Sequence, residues 1–226
     1  LMNQIDLKQL TAPPNSWHML RTLAGVGIFC SLLIVATYQA TLPVITTKKL
    51  EKLQEAVFNV LPGAASKANF RLTPDGRFEP FEGTPKGETL VYAGYDRQGK
   101  LVGIALEAYG QGFQDVLHII YGYSPEKQAV VGIQVLESKE TPGLGDKIEK
   151  DPAFLANFEA LDVSLSGDGQ IQNAITAVKK GEKQQPYEIE CITGATISSK
   201  AITAILQKST GEFIPMLMKN LATFEK

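Results

Sequence analysis

The chain has 226 residues, 44% hydrophobic and 20% charged, with 22 Lys and Arg against 24 Asp and Glu and a formal net charge of −2. This balance is too apolar for a disordered chain and not basic enough for a dedicated nucleic-acid binder, so nucleic acid is not an expected partner. Two cysteines cannot build a disulfide-rich scaffold, and a mean hydropathy of −0.03 excludes a bundle of many membrane spans.

In chain order, the first feature is Thr22 to Thr47, which contains no Asp, Glu, Lys, Arg or His. At ~1.5 Å per residue it makes roughly 39 Å of helix, enough to cross ~30 Å of hydrocarbon. A soluble core helix of that length would show a charged face. A cleaved signal peptide would have a shorter apolar region ending in a small-x-small site. The best cut, after Ala40, has Tyr38 at the wrong place. The stretch therefore reads as an uncleaved single-pass anchor, with Trp17 and Tyr38 near its ends as interfacial aromatics. The expected organisation is a short tail at 1–21, the anchor at 22–45 and a soluble domain at 46–226. Lys8 and Arg21 on one flank, against Lys48, Lys49 and Lys52 on the other, slightly favour a cytoplasmic body. Large domains translocate largely regardless of such charges. Cys30 lies in the span and Cys191 in the body, so no disulfide between them is expected.

Thr47 to Leu61 reads as a helix leaving the membrane, with Leu50, Leu53, Val57 and Leu61 at helical spacing and Pro62-Gly63 ending it. Residues 63–87 read as loop with a short strand near Phe70-Arg71-Leu72. Glu88–Asp96 and Leu101–Tyr109 form a strand pair around Arg97–Lys100, and Val116–Tyr123 and Ala129–Leu136 form a second pair around Ser124–Gln128. Short connections favour an antiparallel meander. Asp151–Leu161 reads as a short helix, Gln172–Val178 as a strand, and Ser198–Leu221 as one or two helices broken near Gly211 and Pro215. The fold class is α+β: a single transmembrane helix, then a soluble domain with an antiparallel sheet and flanking helices.

The usual catalytic sets are missing. His18 borders the span, and His118 sits in an apolar run where a packed, hydrogen-bonded histidine is the plainer reading. No P-loop, dinucleotide fingerprint or nucleophile elbow occurs. If the domain does chemistry, something it carries does it.

Three small-residue clusters stand out. Tyr109-Gly110-Gln111-Gly112-Phe113 ends a strand and reads as a turn. Glu140-Thr141-Pro142-Gly143-Leu144-Gly145 follows a strand, with a tight Pro-Gly turn, Thr141 placed to bond a polar ligand edge and Lys147 beyond it placed to face an anion. Thr193-Gly194-Ala195-Thr196, with Ser198 and Ser199, precedes the last helix. These hydroxyls fit either an N-cap cluster or a phosphate site at a helix start.

The conjunction resembles a known family. Thr193–Thr196 matches the [S/T]-G-A-T flavinylation motif of FMN-binding domains, and Glu140–Gly145 matches the E-T-P-G-L-G loop found with it. Both occur in the G subunit of Rnf complexes and in the C subunit of the sodium-pumping NADH:quinone oxidoreductase. The length of this chain resembles the former. Where the family often carries an Asp before the motif, this chain has Glu190.

The resemblance implies FMN bound covalently through its phosphate to Thr196, by a flavin transferase. It implies that Glu140, Thr141, Pro142, Gly143, Leu144 and Gly145 lie near the isoalloxazine ring, with Thr193, Gly194 and Ala195 around the attachment point. Gly110 and Gly112 are weaker candidates for the same pocket. It implies an electron relay without catalytic residues of its own, in an ion-translocating ferredoxin:NAD oxidoreductase of the inner membrane. Its partners would be the other Rnf proteins of the membrane, notably the membrane flavoprotein (the D subunit) and the iron–sulfur subunits, and the soluble domain would be periplasmic. The alternatives are the quinone-reductase C subunit and an anchored scaffold module without a cofactor.

Overall fold

The computed structural model describes residues 16–83 and 87–225. Most of the expected tail, with Asp6 and Lys8, lies outside the described residues. The chain divides into two compact units, Leu1–Leu50 and Glu51–Lys226.

One continuous helix, α1 (Ser16–Val60), covers both the expected anchor and the expected following helix. Pro43 sits inside it without ending it. Proline removes a backbone donor and crowds the preceding turn, and here the hydroxyls of Thr46 and Thr47 donate to the Pro43 carbonyl, each at 2.9 Å. Among the described residues of the first unit Leu23, Phe29, Leu32 and Ile34 are exposed, and the most apolar window has no buried residue. A helix so long and apolar can cross a membrane by length and composition.

In the second unit α1 closes with Ala56, Val57 and Val60 buried, and Pro62-Gly63 turns the chain. A seven-stranded sheet follows, in the order β2-β1-β3-β4-β5-β6-β7, with every neighbouring pair antiparallel. Its strands are β1 (Ser66–Leu72), β2 (Phe78–Pro80), β3 (Leu90–Tyr95), β4 (Leu101–Gln111), β5 (Val116–Ser124), β6 (Ala129–Glu137) and β7 (Leu161–Asp162). The meander of β3 to β6 agrees with the sequence reading. Within residues 63–87 the short strand expected near Phe70-Arg71-Leu72 is the end of the longer β1, where Ala68, Phe70 and Leu72 alternate inward against the core, and β2 is an additional strand.

Strands β3 to β5 are largely apolar because both faces are covered. Ile104, Leu106, Leu117, Ile119 and Tyr121 face one cluster with Ile202, Ile205, Leu206, Ile214 and Leu217 of helix α3 (Thr196–Lys219). Tyr92, Ala105, Ile120 and Leu136 face the end of α1 through Val57, Val60 and Leu61. The end of α1 and helix α3 thus cover opposite faces of the sheet.

Between β6 and β7 the chain forms a 3-10 turn (Gly145–Glu149), the short helix α2 (Pro152–Leu155) and another 3-10 turn (Ala156–Phe158). Asp151 caps α2 by accepting from the Ala153 and Phe154 amides, and Pro152 suits the first helical position. The expected strand at 172–178 is reduced to β8 (Thr176–Val178), which pairs in parallel with β9 (Glu188–Glu190). Helix α3 runs unbroken through Gly211 and Pro215. Its buried residues continue on both sides of Pro215, so packing overrides the two breakers.

Candidate functional site

The carboxylate of Glu140 joins three segments distant in sequence. It accepts from the amides of Phe113 (2.8 Å) and Gln114 (3.2 Å) in the β4–β5 connection, and from the hydroxyl of Ser198 in the first turn of α3. Glu140 is buried, and burying a carboxylate is costly unless donors surround it. Three donors meet that requirement here. A Cβ on Gly112 would come within 2.6 Å of Glu140 Oε1, and one on Gly145 within 2.4 Å of Oε2. The glycines at these two positions make room for the carboxylate.

The Glu140–Gly145 loop is held by its own bonds. The Thr141 carbonyl accepts from the amides of Leu144 (3.1 Å) and Asp146 (3.4 Å), and the Gly143 amide donates to Asp146 Oδ1 at 2.6 Å. Gly143 has φ +79°, a conformation that favours glycine. Gln114 donates to the Thr141 hydroxyl at 3.0 Å.

At the start of α3, Thr193 and Gly194 are exposed and Gly194 has φ +85°, which turns the chain into the helix. The hydroxyls there do not cap it. The N-cap position is Ala195, whose side chain has no oxygen with which to cap the helix. Ser199 instead accepts from the Ile192 amide at 3.1 Å and donates to the Ala195 carbonyl at 2.9 Å, while Ser198 is taken by Glu140. The first-turn amides of a helix have no acceptor within the helix. Thr196 is exposed, and its hydroxyl makes only a long 3.4 Å bond to the Ile192 carbonyl.

These segments enclose a cleft of about 340 Å³ whose walls include Phe113, Leu144, Gly194, Thr196 and Ile197. Phe113 is 58%, Leu144 52% and Ile197 59% exposed, so three large apolar side chains stand uncovered around one opening. Of the expected site residues, Glu140, Thr141, Leu144, Gly145, Gly194, Ala195 and Thr196 border this cleft. Pro142, Gly143, Thr193, Gly110, Gly112 and Lys147 are not among its walls. Gly110 lies under α3, where a Cβ would meet Ile205 Cγ1 at 2.4 Å. Phe113 and Ile197 have no expected role in the flavin site from the motifs, and Ser198, read as part of an N-cap or phosphate cluster, bonds Glu140 instead. The only sequence signal for them is adjacency to the glycine-containing segments.

A second polar cluster lies on the sheet. Glu107 accepts from Tyr92 (2.7 Å) and Tyr109 (3.2 Å) and pairs with His118 Nε2 at 2.7 Å, and His118 stacks on Tyr109 with ring centroids 4.0 Å apart. Burial pushes the Glu107 carboxyl up, but the bonds from His118 and Tyr92 outweigh it and hold the group below its usual range. His118 is thus a half-buried, hydrogen-bonded histidine, as its apolar surroundings suggested.

Comparison with known proteins agrees with this geometry. Residues 112–210 match the family of FMN-binding domains. The chain is 29% identical to the G subunit of the ion-translocating oxidoreductase complex of Methanosarcina acetivorans, over 90% of this chain and 94% of that one. It is 26% identical to the G subunit of the proton-translocating ferredoxin:NAD(+) oxidoreductase complex of Clostridium ljungdahlii, over 76% of this chain and 77% of that one. The crystal structure of Shewanella oneidensis NqrC shares the fold with a TM-score of 0.64 at 20% identity, covering 78% of this chain and 99% of that one. The resemblance carried by the two loops is therefore found again over most of the chain. The cleft fits an FMN: its volume lies in the range of small-molecule sites, three of its walls are large apolar side chains, and an accessible hydroxyl stands at a helix start.

Proposed function

We propose that this chain is the flavin-carrying electron-transfer subunit of a membrane-bound, ion-translocating ferredoxin:NAD oxidoreductase, with FMN esterified through its phosphate to Thr196 Oγ1. The likeness to two G subunits and the FMN-binding domain at 112–210 support an electron-transfer subunit of an ion-translocating complex. The observation that carries the attachment is the position of Thr196: exposed, on the wall of the cleft, and in the first turn of α3. A phosphodiester formed there stays anionic, and the first-turn amides and helix dipole favour that charge.

Bound FMN supplies reversible electron transfer, and the protein supplies position and surroundings. Phe113, Leu144 and Ile197 give the ring apolar walls, and the Glu140 latch fixes the three segments that carry them. A covalent tether keeps the carrier from dissociating between partners. The exposed apolar rim suits docking of the neighbouring proteins of an Rnf complex, notably the membrane flavoprotein (its D subunit) and the iron–sulfur subunits. In this reading α1 anchors the chain at residues 22–45 in the inner membrane, residues 46–226 form the periplasmic FMN-binding domain, and a flavin transferase matures it. The coverage of the M. acetivorans protein, 94% of its length, favours this assignment over a longer quinone-reductase subunit.

Mass spectrometry after co-expression with a flavin transferase tests the attachment. The peptide 184–200 is expected to carry the added mass of FMN less one water. Thr196→Ala is expected to abolish in-gel flavin fluorescence while leaving the circular dichroism spectrum unchanged. Fluorescence that survives this substitution refutes Thr196 as the attachment point.

A further inference from the structure

Thr196 borders a second cleft, of about 550 Å³, lined also by Lys179, Lys180, Glu182, Cys191, Thr193 and Lys200. The two clefts share a single lining residue, Thr196. Their chemistry differs. The first has the exposed apolar side chains of Phe113, Leu144 and Ile197 and no lysine or arginine among its walls, whereas the second sets three lysines against one glutamate. Among the described residues none of these lysines has a carboxylate partner.

The fold holds these charges where they are. The Cys191 amide donates to the Val178 carbonyl at 2.9 Å, continuing the β8–β9 pairing. The backbone of Lys179 and Lys180 thereby follows directly on a strand held beside the start of the Cys191–Thr196 segment. From the helix side comes Lys200, near enough to Cys191 to oppose the upward push that burial gives its thiol. Helix α3 has no acidic residue in its first turn, and its first charged residue is Lys200. That pattern is the reverse of what a helix N-terminus prefers. The three lysines give this cleft an excess of positive charge over its one glutamate.

We infer that the lysine-lined cleft is a phosphate subsite, which holds the phosphate end of the flavin nucleotide at Thr196 while the apolar cleft takes the ring. This rests on the flavin-carrier reading above and divides its site into two chemically distinct halves. Lysine ammonium groups bind phosphate as point charges, so the contribution is electrostatic and falls as salt rises.

FMN and riboflavin share the ring and ribityl chain and differ by the phosphate, which makes them the probes. Each is titrated by fluorescence quenching into the full chain purified without flavin transferase. At low salt, FMN is expected to bind about tenfold more tightly than riboflavin, a preference that shrinks as salt is added. In Lys179→Ala/Lys180→Ala/Lys200→Ala the preference is expected to disappear while riboflavin affinity stays, which also reports an intact fold. Should the triple variant lose riboflavin as well, Lys200→Gln and Lys179→Gln/Lys180→Gln are read in the same way. Equal affinity for the two flavins in the unaltered chain, or a preference that survives the lysine substitutions, overturns the subsite and leaves the flavin-carrier reading standing. If neither flavin binds the unaltered chain, the carrier reading fails and the subsite fails with it.

Discussion

Glu140 stands in the loop that resembles a flavin site, yet both of its oxygens are already engaged by the protein. One takes the amides of Phe113 and Gln114, and the other takes Ser198. Its part is to hold the cleft walls together. Glu140→Ala leaves two amides and a hydroxyl without their acceptor and is expected to cost about 2 kcal/mol. The local signature is sharper than the global one: the Phe113 and Gln114 amides should exchange with solvent faster, while the amides of β5 keep their protection. Hydrogen exchange with mass or NMR detection checks this, and unchanged exchange at 113 and 114 refutes the latch. The residue types of this site were legible in the sequence, since Glu140, Gly145 and Ser198 sit in or beside its two motifs. Their roles were not. Motif spacing does not tell that Gly112 and Gly145 are small on account of the Glu140 carboxylate, or that Ser198 bonds across to another loop instead of capping its own helix.

At the level of elements, the end of α1 reaches the sheet through glycines. Gly94 faces Gly103 across β3 and β4, and Gly122 faces Gly132 across β5 and β6. Over them lie Val60 and Leu61: a Cβ on Gly122 would stand 2.0 Å from the Val60 carbonyl oxygen, and one on Gly132 would stand 2.9 Å from Val60 Cα. These contacts are with backbone and cannot be relieved by a rotamer change. Gly122→Ala is therefore expected to destabilise the fold by about 3 kcal/mol or more, whereas Gly167→Ala, with open space at its Cβ position, should be nearly neutral. Urea midpoints of the two variants against the parent decide the matter. The meander and the helix end at Pro62-Gly63 were readable because alternation and turn residues are local signals. The glycine contact was not, since it pairs residues that meet only after the sheet has formed. A short strand near Phe70-Arg71-Leu72 was readable, but the first part of β1 and all of β2 were obscured by Gly, Pro, Lys and Glu in the same stretch, and the continuity of α3 by Gly211 and Pro215, which matter less once one face of the helix is buried.

Over the whole molecule, the segment matching the FMN-binding domain, residues 112–210, contains every wall of both clefts, yet it lacks much of the structure those walls rest on. It begins after β4, so β5 would lose its neighbour along its full length, and β1, β2 and β3 would be missing. It ends inside α3, before Ile214 and Leu217. It also omits Phe224, which is fully buried between Phe70 and Phe78 at centroid distances of 4.8 and 5.1 Å and whose carbonyl accepts from the Tyr95 hydroxyl at 2.8 Å. That contact ties the last turn of the chain to the first strands of the sheet. Site residues and the scaffold that positions them are thus unequally distributed along the sequence, and motif recognition finds the former. A fragment of residues 112–210 is expected to give a disordered circular dichroism spectrum, no cooperative melt and no quenching of FMN fluorescence, while the full chain gives a folded spectrum, a cooperative melt and quenching. A cooperative melt from the fragment would mean that β4 and the C-terminal clamp contribute less than their burial implies, and that the cleft is assembled locally.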